Sequence, residues 1–528
     1  MDKFIITHNK ININEFLEAA NNFNCKIEYS EQVKSSIIAC RKLLDDLVDS
    51  GRIIYGVNTS MGGFVNYLVP TEHAEDLQNN LLSSVASNVG DFFEDNVVRS
   101  IMLARLISLS KGASAISLEN FDILLKMLNS NVLPCIPMKG SLGASGDLGP
   151  LAFIALVGVG KWKAKYNGEI LEGKEALAKA NITPMRLGYK EGLALINGTS
   201  AMVGLSANVY NKAKNLLNYY EYITGLTFEG LAATLNPYDP IVHKRKMHKG
   251  QLFCAERICD ILSGSKLAVM EKDRESSIQE KNKNIVQGLD SQIEDAYSLR
   301  CTPQILGPIY DSIDFIHRTI ENELNSSSDN PLALVEEGEV FHNGHFHGQY
   351  ISMVMDFLSI NLTTLSNLSD RRIDRFMDKN NSNGLPPFLC RENPGLRLGL
   401  MGGQFMSTSI TAENRALCTP VSIQTLTSTG DFQDIVSFGL VSARKCKEIL
   451  INTAYIVSFE ALCACQAIDI RGKEKMSKKT RILFNKIREI VPYFSYDTTI
   501  NPYVEKLHEM FINDNMLKQL KTSQGELK

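Results

Sequence analysis

The sequence predicts a mainly α protein built around a long central helical bundle, and two patterns carry that expectation. From about Thr199 onward, long segments repeat apolar residues at three- and four-residue spacing, as helices with one buried face do. Before that point shorter helical patterns alternate with glycine-rich loops. The chain therefore reads as a loop-rich region at 1–198, a bundle at 199–470, and charged peripheral helices at 471–528 with a frayed tail after Thr522.

Taken in order, the bundle helices are expected at 199–231, 256–285, 302–324, 348–377 and 434–470, separated by polar loops such as 325–331 and 378–387. The run 192–211 carries no charge but includes Asn197, Thr199, Ser200, Ser206, Asn208 and Asn211, which would be costly against lipid, so it is expected as buried core. In the first region two loops stand out, Gly51-Arg-Ile-Ile-Tyr-Gly-Val-Asn-Thr-Ser-Met-Gly-Gly-Phe64 and Gly140-Ser-Leu-Gly-Ala-Ser-Gly-Asp-Leu-Gly-Pro150. In the second, Asp147 suits a helix cap and Pro150 a first helical turn.

Composition narrows the function classes. The 528 residues are 44% hydrophobic, enough for a large core, and the net charge of −4 with scattered Lys and Arg leaves no nucleic-acid footprint. The eleven cysteines form no regular framework, and Cys463-Ala-Cys465 lacks a second Cys or His pair at zinc spacing. The start, Met1-Asp-Lys-Phe-Ile-Ile-Thr-His8, lacks the apolar core of a signal peptide. A cytoplasmic protein acting on small molecules, with reduced thiols and no metal, membrane or nucleic-acid partner, is expected. Gly158-Val-Gly-Lys161 lacks the spacing of a phosphate-binding loop, and Gly140, Gly143 and Gly146 lack the dinucleotide spacing.

The bare backbone at Ala144-Ser145-Gly146 permits chemistry as well as a turn. With no side chain on Gly146, its amide nitrogen is able to approach the carbonyl carbon of Ala144 and close a five-membered ring. Loss of water from that adduct and from Ser145 leaves a 4-methylideneimidazol-5-one (MIO), whose exocyclic methylene is an electrophile that no ordinary side chain offers. An electrophile that captures an amine needs a base, for which Tyr55 is the candidate, although a tyrosine beside glycine, taken alone, reads first as a packed ring with its hydroxyl satisfied. Lowering a phenol from about 10 to about 7 requires roughly 4 kcal/mol of differential stabilisation. An amino acid substrate also needs a carboxylate clamp, and Arg300 follows Tyr297 by three residues, on one face if the segment is helical. Alone, Arg300 reads as a surface ion pair, Asn330 as a turn residue, and Asn197 as a core amide that must find partners.

These segments together resemble the MIO-dependent aromatic amino acid ammonia-lyase and aminomutase family over nearly the whole chain: Gly-Ser-Leu-Gly-Ala-Ser-Gly-Asp-Leu, Tyr-Gly-Val-Asn-Thr, Ile-Asn-Gly-Thr, Tyr-Ser-Leu-Arg-Cys-Thr-Pro-Gln and Ser-Asp-Asn-Pro. The resemblance implies the histidine/phenylalanine ammonia-lyase fold and a homotetramer whose active sites are assembled from more than one chain. It implies an MIO cofactor formed from Ala144, Ser145 and Gly146, Tyr55 as catalytic base, Asn197 holding the ring and the amine, Tyr297 lining the reacting centre, and Arg300 with Asn330 on the substrate carboxylate.

It also bears on the substrate. Histidine ammonia-lyases place histidine and glutamate where this chain has Val85 and Gln433, and tyrosine-specific lyases place histidine at Ser84. A buried carboxylate beside a phenyl ring lacks a partner, so Val85 and Gln433 suit an apolar ring, with Leu81, Phe346 and Phe432 as further pocket candidates. Ser60-Met-Gly-Gly63 and Gly344-His-Phe346 depart from the lyase pattern toward the phenylalanine aminomutase branch, which forms β-phenylalanine for natural-product (antibiotic) assembly. The expectation is conversion of L-phenylalanine to β-phenylalanine, of (S) configuration by resemblance, through bound trans-cinnamate. An ammonia-lyase releasing cinnamate or coumarate is the alternative on the same scaffold, and a helical scaffold protein without chemistry the alternative of another class.

Overall fold

A computed structural model describes residues 1–276, 286, 288 and 292–513. Helices dominate, and the strands form only small sheets of two or three. Of the expected bundle helices, 199–231, 302–324 and 348–377 appear as Ser200–Leu231, Thr302–Leu324 and Gln349–Met377. The segment expected as one helix at 256–285 is instead broken: Lys249–Ile261 ends in a turn through Gly264 at φ +78°, and Glu271–Ser276 follows. Apolar spacing persists across that turn, which is why the pattern misses it; residues 277–285 of that expectation, and the tail after Thr522, lie outside the described residues. The helix expected from 434 begins at Gly439 and runs to Arg471. It is long and apolar enough to span a membrane, yet 83% of its most apolar window is buried.

The chain divides into two compact units, each drawn from three stretches. Four of the five boundaries fall inside the long helices, so no change of composition marks them. The first unit holds residues 1–210, 316–356 and 420–446. Its core helix, Asp95–Leu109, is buried from Val97 to its end, and the pattern includes two arginines. Burying a guanidinium requires acceptors, and Arg99 finds the carbonyls of Ala20 at 2.8 Å and Leu128 at 3.0 Å, while Arg105 donates to the carbonyl of Ala194. Helices Glu31–Asp49 and Leu118–Asn129 start at Ser30 and Ser117, whose hydroxyls cap free backbone N–H groups. The charge-free run 192–211 is buried as expected, in the short helix Glu191–Ile196 and the start of Ser200–Leu231.

The second unit holds residues 211–315, 357–419 and 447 onward. At its centre Arg372, fully buried, pairs with Glu460 at 3.2 Å. The same guanidinium donates to the carbonyl of Ser298 at 2.9 Å and the hydroxyl of Thr302 at 2.7 Å, and the Tyr238 hydroxyl donates to the carbonyl of Leu299. These bonds fasten the one-turn helix Tyr297–Arg300 from beneath.

Candidate active site

The glycine-rich segment at 140–150 is bare because backbone passes against backbone there. Gly198 donates its N–H to the carbonyl of Ser145 at 3.2 Å, and its own carbonyl accepts from the N–H of Asp147 at 2.8 Å. Gly146 sits at φ +72°, and a Cβ on it would lie 2.2 Å from the Gly198 oxygen. Gly143 is pressed in the same way, a Cβ there falling 2.5 Å from the Ser437 hydroxyl. Asp147, expected as a helix cap, makes no side-chain cap bond to the helix Leu148–Gly158. Its carboxylate turns instead to the N–H of Met202 at 2.7 Å, because the following chain from Gly198 closes over it. Complete burial pushes that carboxyl up to about 7.

Around this segment lies a cavity of about 1350 Å³, formed wholly within the first unit. Ala144, Ser145 and Gly146 form its floor, and Tyr55, Asn197, Asn330, Leu81, Ser84, Val85, Phe346, Phe432 and Gln433 all line it. The Tyr55 ring comes from the loop at 51–64, where its own N–H donates to His342 Nε2 at 3.1 Å and its hydroxyl accepts from the N–H of Gly62 at 3.0 Å. Burial raises the Tyr55 phenol, and the Gly62 N–H only partly opposes it. The Gln433 amide is oriented by the Ser428 hydroxyl, which donates to its Oε1 at 3.0 Å, so its NH2 reaches Ser145 Oγ at 3.1 Å. The Asn330 Oδ1 accepts from the N–H of Asn343 at 2.7 Å, leaving its NH2 as the face for an acceptor. Asn197 is buried with its NH2 bonded and its Oδ1 without a protein partner.

A family profile for aromatic amino acid lyases matches residues 11–489. The chain belongs to the aromatic amino acid lyase family. The solved structure of Pantoea agglomerans phenylalanine aminomutase is similar at a TM-score of 0.94 and 55% identity, covering 98% of this chain and 99% of that one. In sequence, the tyrosine ammonia-lyase of Cupriavidus metallidurans is 40% identical over 485 residues, 90% of each chain. The histidine ammonia-lyase of Natranaerobius thermophilus is 38% identical over 512 residues, 97% of each. The fold is that of the histidine and phenylalanine ammonia-lyases, as expected, and the protein is an enzyme of a family that acts on aromatic amino acids.

Not every expected site residue of this aromatic amino acid lyase family member meets in the cavity. Tyr297 and Arg300 belong to the second unit and are absent from the lining. There Arg300 lies over the Tyr297 ring, 4.9 Å from its centroid, as their three-residue spacing on a helix requires, and pairs with Glu294 at 2.9 Å. Among the described residues that line the cavity, none is Lys or Arg and Asp434 is the sole carboxylate, so this unit alone offers a substrate carboxylate no guanidinium or ammonium group. Sequence reading also missed Asp329, whose carboxylate accepts from Asn197 at 3.0 Å. The available signal was its position beside Asn330, which reads as an ordinary turn.

The family is known for the MIO prosthetic group, and the residues here fit it: a Gly146 packed so closely on Gly198 that no side chain is admitted, a Ser145 lining the cavity, and an orphaned Asn197 oxygen.

Proposed function

We propose that this enzyme is a phenylalanine aminomutase that converts L-phenylalanine to β-phenylalanine. The observation that carries the substrate reading is the neutral Gln433 amide 3.1 Å from Ser145 Oγ, with Val85 also lining the cavity. Histidine-directed members have a glutamate and a histidine at these positions. A phenyl ring among Leu81, Val85, Phe346 and Phe432 meets a neutral amide at 433, whereas imidazole would find no carboxylate at that position.

When formed from Ala144, Ser145 and Gly146, the MIO ring supplies an electrophilic carbon for the substrate's amine. The chain's own side chains do the rest. Asn197 Oδ1, with no donor of its own, accepts an N–H of the substrate amine. The Asn330 NH2 and the Arg300 guanidinium hold the carboxylate, with Arg300 supplied by another copy of the chain in a cytoplasmic homotetramer. Tyr55 Oη takes a proton from the substrate Cβ and later returns one to the carbon skeleton, while the apolar wall retains the cinnamate formed between those steps.

The test is a chromatographic count of products from purified enzyme and L-phenylalanine over time. Early β-phenylalanine exceeding trans-cinnamate supports the aminomutase. Cinnamate alone makes the enzyme an ammonia-lyase on the same site, the reading favoured by the names of its sequence relatives. Neither product, with turnover of tyrosine or histidine, overturns the pocket argument.

A further inference from the structure

The Asp329 carboxylate is fully buried and divides its oxygens between two tasks. Oδ2 receives the ammonium of Lys190 at 2.7 Å, itself 1% exposed. Oδ1 accepts from Asn197 Nδ2 at 3.0 Å and from the backbone N–H of Asn330 at 2.7 Å. Lys190 and Asn197 are the residues flanking the helix Glu191–Ile196, so one carboxylate fastens both ends of it. Lys190 stands at φ +71°, an uncommon backbone conformation for a non-glycine residue. Glu191 is held as well, its two oxygens accepting from the N–H groups of Ser117 at 2.9 Å and Gly188 at 2.8 Å.

This arrangement decides which way the Asn197 amide is turned. Its NH2 faces two groups that only accept, the Asp329 carboxylate and the Asn330 carbonyl at 2.9 Å. A flipped amide would set its oxygen against both, so the flip is closed off and Oδ1 stays on the other side, buried and without a protein partner. An aspartate at 329 accepts only, whereas an asparagine there is able to turn either face to Asn197 and removes the distinction.

We propose that Asp329, neutralised by Lys190, is a positioning residue for amine capture: it fixes the orientation of the Asn197 amide, so that the partnerless carbonyl oxygen is kept as the acceptor for the substrate's amine. The inference rests on the function proposed above. A buried ion pair kept for stability alone is replaceable by neutral groups of similar volume without loss of function, and this distinguishes the two roles.

The test is a double-mutant cycle in the full-length enzyme. Asp329→Asn lowers turnover of L-phenylalanine roughly 10- to 100-fold, and Asn197→Ala then adds less than about 3-fold, although it costs far more in the wild-type background. Because Asp329→Asn strands the Lys190 charge, the same cycle is run on the neutral pair Lys190→Met with Asp329→Asn, which removes this ion pair and leaves the neighbouring buried Arg105 in place. A second readout needs no turnover. In the Tyr55→Phe enzyme, calorimetry compares L-phenylalanine with 3-phenylpropanoate, which shares its ring and carboxylate and lacks the amine. Asp329→Asn weakens the first at least tenfold and the second less than about threefold. Additive mutational effects, equal weakening of both ligands, or a fully active neutral pair would overturn the inference while wild-type turnover leaves the function intact. A wild-type enzyme inactive on every aromatic amino acid overturns the function and the inference with it.

Discussion

The side-chain amide of Gln433 donates to the hydroxyl of Ser145 across 3.1 Å, tying the segment at 428–435 to the residue from which the electrophile would be made. Gln433→Glu places a carboxylate in that contact. Expected is a fall of about 10- to 100-fold in kcat/KM for L-phenylalanine, from a charge held against an apolar ring. Joined with Val85→His, the same change should bring measurable turnover of L-histidine, followed as urocanate absorbance. Unchanged phenylalanine kinetics in Gln433→Glu would remove Gln433 from substrate selection.

The Tyr55 phenolate is favoured by a hydrogen bond from the N–H of Gly62, against burial that opposes it and prevails. The proton-accepting form is therefore scarce at neutral pH and grows as pH climbs toward the ordinary phenol value of about 10. Turnover of L-phenylalanine should rise through the alkaline range. A plateau from pH 7 upward would show that groups brought by another subunit lower this phenol.

Asp147 carries a proton in the folded enzyme to about pH 7, while an unfolded aspartate loses it near 3.9. The folded state thus binds the extra proton between those values, and this contribution to stability is complete below about pH 4 and is lost as pH rises through about 7. Replacing Asp147 by Asn should flatten the fall of Tm with pH between 4.5 and 8. An identical slope in wild type and Asp147→Asn would locate the titration elsewhere.

Gly146 and Gly198 share a contact in which neither has room for a methyl group: a Cβ on Gly146 meets the Gly198 oxygen at 2.2 Å, and one on Gly198 meets the Ser328 oxygen at 2.0 Å. Both also hold positive φ. Alanine at either position should cost more than about 2 kcal/mol in urea unfolding and abolish activity. A stable, active Gly146→Ala would contradict the ring chemistry assigned to this segment.

Arg300 lies outside the cavity of its own first unit, and its proposed task is on the carboxylate of a substrate bound to another copy. Arg300→Ala should raise KM for L-phenylalanine by about 10- to 150-fold, the value of a charged hydrogen bond of roughly 1.5–3 kcal/mol. Refolding a mixture of Arg300→Ala and Tyr55→Phe chains should restore activity that neither has alone, because some sites then draw both intact residues. No restoration in a mixed oligomer would place both residues in one chain's site.

The sequence was most readable where chemistry is written in consecutive residues. Ala144-Ser145-Gly146, Tyr55 and Asn197 lie in strings whose glycines are explained by contacts of the kind Gly146 makes with Gly198, and the structure gathers them around one cavity. Long helices were equally plain, since Thr302–Leu324 is set by a periodicity that runs for many turns. Partners distant in the chain were not readable. Nothing in Asp147 announces Met202, and Asp329 looks like a turn residue until Lys190 and Asn197 are seen against it. The break at Gly264 hid because the flanking apolar residues continue the helical spacing, and four of the five unit boundaries hid because they fall within continuous helices.

The crowding at Gly146 and Gly198 also sets where this enzyme is open to redesign. A saturation library spread evenly over the cavity would waste its codons on the floor, where nearly every replacement collides with main chain that has nowhere to go. Diversity belongs at Leu81, Ser84, Val85, Phe346 and Phe432, which line the same cavity with side chains rather than with crowded main chain. Enzymes selected for bulkier or more polar aryl amino acids should therefore keep both glycines unaltered while those five positions diverge.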